Sequence, residues 1–407
     1  MSKNQTNKIG LFTATLVGIN AMIGAGIFSA PAILASNVGP AGLLTYLIVI
    51  LGVLCMALSF ANLAEQFPEE GAFYTYAKQW GGHTAGLISI TAYLVGILIA
   101  MGLLTQFAGI YVYSFLDSVG FFSTWNITTT PYIVGVIILL LLVLLNMVGG
   151  VAANVMQVVA ISCTSIPLAA ITLMCFTKAD LNNLVPFAPY GFGNVMRAMQ
   201  AVIFGFLGFE STIALYGIVE NPKKNVPRAL LYAISFVSTI YFLFIASIFL
   251  AIPASYFTSP TIPLSQPLEM LFPDQHWLIS IIHIAITISF LSVINAVIWS
   301  TSSLFISITH KFKSAQGKRF RTYVTPRTSV LLMGLVIGTA YSSVNNIQLF
   351  FAYTNIFIMV AYITALLALY KVRSKLSGAR QVQAALGILT ACIIFGFAIE
   401  RLCSLII

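Results

Sequence analysis

The chain has 407 residues, 59% of them hydrophobic and only 7% charged, with 19 basic against 10 acidic side chains and a net charge of +9. A mean hydropathy of +0.98 lies outside what a water-facing surface requires, which excludes an ordinary soluble domain and makes lipid the main solvent. Backbone exposed to lipid must satisfy its own hydrogen bonds, so long apolar runs punctuated by Gly and Pro imply an all-α integral membrane protein, where a barrel would need short alternating strands.

Residues 1–8 form a polar, weakly basic tail, expected to be cytoplasmic. The apolar run behind it is too long for a signal-peptide core and lacks a cleavage site, so the first helix is expected to stay with the chain. Apolar stretches bounded by charged and Pro/Gly breaks then predict about 11 spans, at residues 9–35, 42–64, 84–116, 132–148, 151–176, 195–219, 229–252, 278–309, 328–341, 347–370 and 384–402. With the amino terminus inside, the inner segments hold Lys3, Lys8, Lys78, Lys223, Lys224, Arg228, the basic residues between Lys311 and Arg327, and those between Lys371 and Arg380. Only Lys178, Arg197 and Arg401 fall on the outer side, so the basic excess is an orientation signal rather than a nucleic-acid surface. The expected address is a cell membrane, plasma or bacterial inner, crossed many times. Cys55, Cys163, Cys175, Cys392 and Cys403 lie inside apolar runs with no CxxC or metal spacing; they read as packing residues, and no metal or cofactor is called for.

An odd number of helices per repeat sends the second copy in from the opposite side, so residues 9–178 and 194–370 read as a five-plus-five inverted pair, with 381–407 as an extra eleventh helix. The first and sixth spans are then equivalent. The first reads Gly18-Ile-Asn-Ala-Met-Ile-Gly-Ala-Gly-Ile-Phe28 near its middle, and the sixth Phe204-Gly-Phe-Leu-Gly-Phe-Glu-Ser211. Closely spaced glycines at matching depth point to broken helices 1 and 6 around a midplane site. Glycine tolerates unwound backbone, freed N–H groups at a half-helix start bind a carboxylate, and freed carbonyls hold an ammonium, so the pattern suits an α-amino acid zwitterion. The plainer alternative is that the glycines only let helices pack closely.

At these residues the chain resembles the amino acid/polyamine/organocation transporter superfamily. Ile23-Gly-Ala-Gly-Ile-Phe28 resembles its unwound Gly-x-Gly signature, and Phe67-Pro-Glu-Glu-Gly-Ala-Phe-Tyr74 its Pro-x-Gly-Gly-x-Tyr loop, with Ala72 in place of the second glycine. Leu145-Asn-Met-Val-Gly149, Gly208-Phe-Glu210 and Val219-Glu-Asn-Pro-Lys-Lys-Asn-Val-Pro-Arg228 match in turn. The nearest subgroup is the basic amino acid/polyamine antiporters, including the arginine/agmatine exchanger. That resemblance implies alternating access with proton linkage or exchange. Ser292-Val-Ile-Asn295 keeps the family's Asn, but Ser303 stands where an Arg is common, and the expected lack of a twelfth helix leaves the family's usual dimer open.

The candidate pocket comprises Ile23, Gly24, Ala25, Gly26 and Ile27 with Phe204, Gly205, Phe206, Leu207 and Gly208, their backbones holding the zwitterion. Phe204 occupies the place where the antiporters set an aromatic lid, and Tyr93 matches a tyrosine of the exchanger subgroup. Met101 stands where that subgroup uses a polar side chain. With Leu104, Leu207 and Trp299 it would line a pocket better suited to an apolar side chain, tilting the cargo toward a neutral amino acid. Glu210 is the acidic residue well inside an apolar run, a functional-site hypothesis by default and the candidate for gating and proton coupling; its plainer reading is a neutral carboxyl bonded between helices. In relatives that use a lysine as a sodium surrogate, that lysine falls at Thr164, so a lysine-based mechanism is not expected, while a sodium site at Ser289 or Ser292 stays open. His283 reads as a packed neutral histidine before a proton relay. Asn126-Ile-Thr128 fits a glycosylation sequon. An enzyme is not expected, since no HExxH, Asp pair or Ser/His/Asp set occurs among so few charges. A channel and a transport-inactive nutrient sensor are the remaining alternatives to an amino acid carrier.

Overall fold

The computed structural model describes residues 8–67, 72–124, 129–148, 151–214, 216, 219–309, 322–344 and 346–406; for Ala25, Ala72, residues 151–162, Ala214, Lys375 and Ile406 it describes the backbone alone. The tail before Lys8, most of the loop from Phe67 to Tyr74, the sequon at Asn126, Gly149 and the basic residues from Lys311 to Arg321 lie outside the described residues. The fold is helical throughout. One parallel bridge, Ile9 with Val219, ties the entry of the first span to the exit of the sixth among the described residues, and the Glu220 N–H donates to the Ile9 carbonyl at 2.9 Å.

In chain order the helices are α1 (Leu11–Met22), α2 (Ala30–Asn37), α3 (Gly42–Gln66), α4 (Ala72–Ser118), α5 (Pro131–Val148), α6 (Val151–Phe176) and α7 (Met199–Phe204). After them come α8 (Pro222–Ala251), α9 (Ser265–Leu271), α10 (His276–Thr309), α11 (Pro326–Ser343), α12 (Ile347–Lys371) and α13 (Gly378–Ile406). Among the described residues seven helices are long and apolar enough to cross a membrane, or up to eight if the bent pair at the start is one span. The protein is therefore an all-α, multi-pass membrane protein.

Local chemistry explains the boundaries. Thr325 caps α11 through a reciprocal pair with Thr328, and Pro326 fills the first turn, where a missing N–H is harmless. The Asn346 side chain accepts from the Gln348 N–H to start α12. At Gly82 (φ 69°, ψ −162°) the backbone leaves helical geometry, so α4 is a short arm from Ala72 followed, across a kink, by the span expected to start near residue 84. The sixth span is no single helix: it consists of the turn Gly193–Arg197, α7, and the turn Ser211–Ala214.

Small residues set the packing, as they must where lipid removes most of the hydrophobic drive between helices. A Cβ on Gly96 of α4 would meet Ile358 Cγ1 of α12 at 2.8 Å, and a Cβ on Gly109 would meet the backbone of α5 at Gly135 at 3.0 Å. Between the same two helices the Ser89 hydroxyl donates to the Ala361 carbonyl at 3.1 Å, and Thr364 donates to Ser89 at 2.9 Å. α13 docks on α3 where the Ser59 hydroxyl donates to Gln383 O at 2.9 Å and Arg380 pairs with Glu65 at 2.7 Å. Side chains such as Leu51, Leu140, Leu141, Leu335 and Leu389 stay exposed and form the lipid-facing belt. Lys371 donates to the Gln79 carbonyl at 2.6 Å beside Lys78, and Arg380 pairs with Glu65, so these cations share one end of the bundle, while Arg197 pairs with Glu400 beside Arg401 elsewhere.

Gly96→Val should therefore split the α4–α12 seam, lowering stability by about 1–3 kcal/mol through overpacking. Thermal unfolding of the purified protein in detergent reads this, and an unchanged transition would remove the seam from the account.

Candidate functional site

Both expected breaks are present. α1 stops at Met22 because Ile23 (ψ 89°) and Gly24 (φ −116°, ψ 172°) leave helical geometry. The chain re-enters as a tight turn over Ala25–Phe28 and continues in α2, and the two arms are bent by 47°. Pro31 sits in the first turn of α2, and the Ser29 hydroxyl donates to the Gly26 carbonyl at 2.8 Å. The break frees carbonyls below it and N–H groups at the turn start, the arrangement that favours an ammonium on one side and an anion on the other. One freed carbonyl is claimed: the Tyr241 hydroxyl of α8 donates to Met22 O at 2.8 Å.

The second break is tighter. Beyond α7 the N–H groups of Gly205, Phe206 and Leu207 donate three residues back, to Val202, Ile203 and Phe204, at 3.0, 3.0 and 3.3 Å. Gly208 then turns at φ +110°, in the region that favours glycine. Its Cα lies against the Ala21–Met22 peptide, and any Cβ there would overlap the Ala21 carbonyl oxygen. A second contact joins the breaks: a Cβ on Gly26 would stand 3.3 Å from the ring of Phe204. Gly26, Phe204 and Gly208 are thus brought together with Ala21 and Met22. Gly24 faces Val293 of α10, Ile27 is fully buried, and Ile23 and Leu207 are half-buried against the core. Phe206 turns the other way, edge-on to Tyr241 at 5.5 Å, beside Gly205.

Below the breaks lies Glu210, with 3% of its surface exposed. One carboxyl oxygen accepts from the Gly208 N–H at 3.1 Å and from the Tyr362 hydroxyl of α12 at 2.8 Å, and Tyr93 faces the same carboxyl. Its other oxygen is buried without a hydrogen-bond partner among the described residues. Around it the rings close up: Phe73 stacks on Tyr93 at 4.7 Å and on Tyr362 at 5.6 Å, while Phe60 meets Phe73, Phe209 and Tyr362 edge-on within 6.0 Å. Four elements, α3, α4, the second break and α12, contribute to this seal, which occupies the end of the bundle rich in basic residues.

Toward the opposite end a cavity of about 560 Å³ opens, with Gln106, Arg197, Gln200, Phe351 and Arg401 in its wall. The Phe351 ring meets Phe204 edge-on at 5.4 Å. A continuous line of contact therefore runs from the cavity through Phe351 and Phe204 to Gly26.

Other candidates stand apart. Met101 is buried on α4, about 12 Å along the helix from Tyr93, and does not line the cavity. Trp299 is 52% exposed, six residues or about 9 Å beyond Val293 on α10, and is not among the residues lining the cavity. His283 is packed, its ring nitrogens bonded to Ser265 at 2.7 Å and to the Tyr111 carbonyl at 2.9 Å. The Thr164 and Ser289 hydroxyls bond to each other, and Asn146 donates to Asn295 at 2.7 Å. Tyr241, Phe351, Tyr362 and Gln106 carry no motif; for Tyr241, Tyr362 and Gln106 the one sequence signal is a polar atom within a membrane run, and Phe351 offers none.

The sequence pattern that defines the amino acid permease family matches residues 9–405, and the chain belongs to that family. It is 25% identical to a branched-chain amino acid permease of Bacillus subtilis (strain 168) over 75% of this chain and 68% of the permease. An aspartate-proton symporter of the same organism is 29% identical over 60% of this chain and 48% of the symporter. A glutamate/serine transporter from it is 24% identical over 58% and 46%. The protein is thereby an amino acid permease of the amino acid/polyamine/organocation superfamily.

The contrast between two glycines checks the geometry of the second break. Gly208→Ala should lower stability by at least about 1–2 kcal/mol, since the left-handed region is strained for any side chain and the Ala21 backbone cannot yield. Gly205→Ala, with φ −68° and its nearest contact at 3.4 Å, should be tolerated. Equal thermal stability of the two variants would contradict the close approach.

Proposed function

We propose that this chain is a secondary transporter that carries an α-amino acid across a cell membrane by alternating access, with the two breaks as the substrate site. The observation that carries the proposal is the double contact between the breaks, Gly208 on the Ala21–Met22 peptide and Gly26 on Phe204. It places unwound backbone from both spans within reach of one small zwitterion. Residues 9–178 and 194–370 act as inverted repeats, and residues 381–407 form an added helix. The end rich in basic residues faces the cytoplasm, as the positive-inside rule requires, so the cavity faces outward and the rings around Glu210 close the inner side. Phe204, carried by Phe351, is the lid over the occupied site.

Glu210 is the proton-responsive group. The groups facing it are the Gly208 N–H and the hydroxyls of Tyr93 and Tyr362, with no cation among them in the described residues. An anion there draws on neutral donors alone, so gain or loss of a proton changes the bonds that hold the inner seal. The aspartate-proton symporter among the relatives supports proton linkage. The narrower likeness to basic amino acid/polyamine antiporters rests on Tyr93 and Glu210, while the branched-chain permease among the relatives supports a neutral cargo.

Counterflow of radiolabelled amino acids into liposomes tests the carrier reading. Leucine or alanine should compete better than arginine or putrescine, and stronger inhibition by arginine would reverse the ranking. Glu210→Gln should slow transport and flatten its dependence on pH over roughly pH 5 to 8 while the thermal transition is retained. A pH profile identical to that of the parent protein would remove Glu210 from coupling.

A further inference from the structure

The outer cavity holds more charge than a passage needs. Arg197 donates to Glu400 at 2.9 Å, so that carboxylate is already committed. Arg401, the next residue on α13, lines the same cavity and makes no ion pair among the described residues. Two guanidiniums therefore share one carboxylate, and the wall keeps a net positive charge at the end of the bundle that has few cations. Across the cavity Gln106 carries an amide oxygen that is buried without a hydrogen-bond partner among the described residues. Neither residue belongs to the breaks, and Arg401 comes from the helix that follows the two repeats. The volume, about 560 Å³, suits a small ligand rather than a water chain.

We propose that this vestibule is a separate capture site for amino acids, in which Arg401 receives the carboxylate and the Gln106 amide receives the ammonium before the ligand descends past Phe351 and Phe204. A planar guanidinium fork is matched to a carboxylate, and the same charge repels polyamines and decarboxylated amines. The inference rests on the transporter reading for its sidedness and narrows the cargo of that reading to carboxylate-bearing amines. Dicarboxylic amino acids gain most at this first step, whatever the inner site then prefers.

The test uses the full chain in lipid nanodiscs, titrated with L-leucine, L-glutamate and 3-methylbutylamine, which is leucine without its carboxylate. Arg401→Gln should weaken binding of both acids by about fivefold, the scale of a partly screened charge pair, and should not weaken, and by lifting repulsion should if anything tighten, binding of the amine; Arg401→Lys should recover most of the loss. High salt should shrink the difference. In liposomes the external KM should rise with the maximal rate kept, while half-saturation from the inner side stays as in the parent. Equal affinity of parent and Arg401→Gln for both acids, or no binding of either acid to the parent, overturns the vestibule site. Arg401-dependent binding without counterflow of any amino acid would sustain the site and sink the transporter reading; counterflow indifferent to Arg401→Gln would do the reverse.

Discussion

Two interrupted helices meeting backbone to backbone is the constraint on which the rest depends. Within a bilayer an unwound peptide has no water to bond to, so each freed group needs a partner from the protein or from a ligand. The second break answers with short turns that keep its own N–H groups occupied, and the first delegates Met22 O to Tyr241. Such economy is possible only if the two breaks touch, and they touch only because position 208 has no side chain. A single residue at φ +110° thus couples the arms of both spans.

That coupling explains why the two sides of the site differ. Toward the basic end the rings of Phe60, Phe73, Tyr93, Phe209 and Tyr362 enclose a carboxyl that reaches back to the Gly208 N–H. Any change at the carboxyl is felt at the residue that holds the breaks together. Toward the other end a single ring, Phe351, stands between the cavity and Phe204. Five rings on one side against one on the other make the two sides of the contact unequal, and for the proposed transporter that inequality would correspond to one side shut and the other nearly open, a discrete alternative of the kind packed aromatic layers favour over gradual deformation.

The fold and the breaks were legible because their causes are local in sequence. Apolar run length, the glycine pairs at 24, 26, 205 and 208, and the lone acid in an apolar run each follow from a rule that needs no neighbour. What was illegible depends on distant partners. Nothing near residue 241 says that its hydroxyl lies 2.8 Å from Met22 O, and nothing near 362 announces Glu210. Trp299 shows the same limit: sequence assigns it to its helix, but only packing decides which side of the helix a large ring falls on. The kink at Gly82, just before the expected start of the third span, was legible because glycine is a local signal, whereas the helical arm that precedes it was not.

Charge is ordered along the path in a way that composition concealed. A net basic count of +9 reads as surface charge, yet under the positive-inside rule most of it is expected as an orientation signal. The few cations at the other end carry the chemical information, because there they are sparse enough for each to count. Arg401 sits at the cavity mouth and Glu210 beneath the breaks, with Gly26, Phe204 and Gly208 between them and no further ionisable side chain brought to that contact among the described residues. On the proposed path, a zwitterion moving inward would leave a guanidinium suited to its carboxylate, pass backbone dipoles that can hold both its ends, and approach an acid suited to its ammonium. Each step would substitute one partner for another, sparing the ligand's charges the many kcal/mol that an isolated ion costs at that depth.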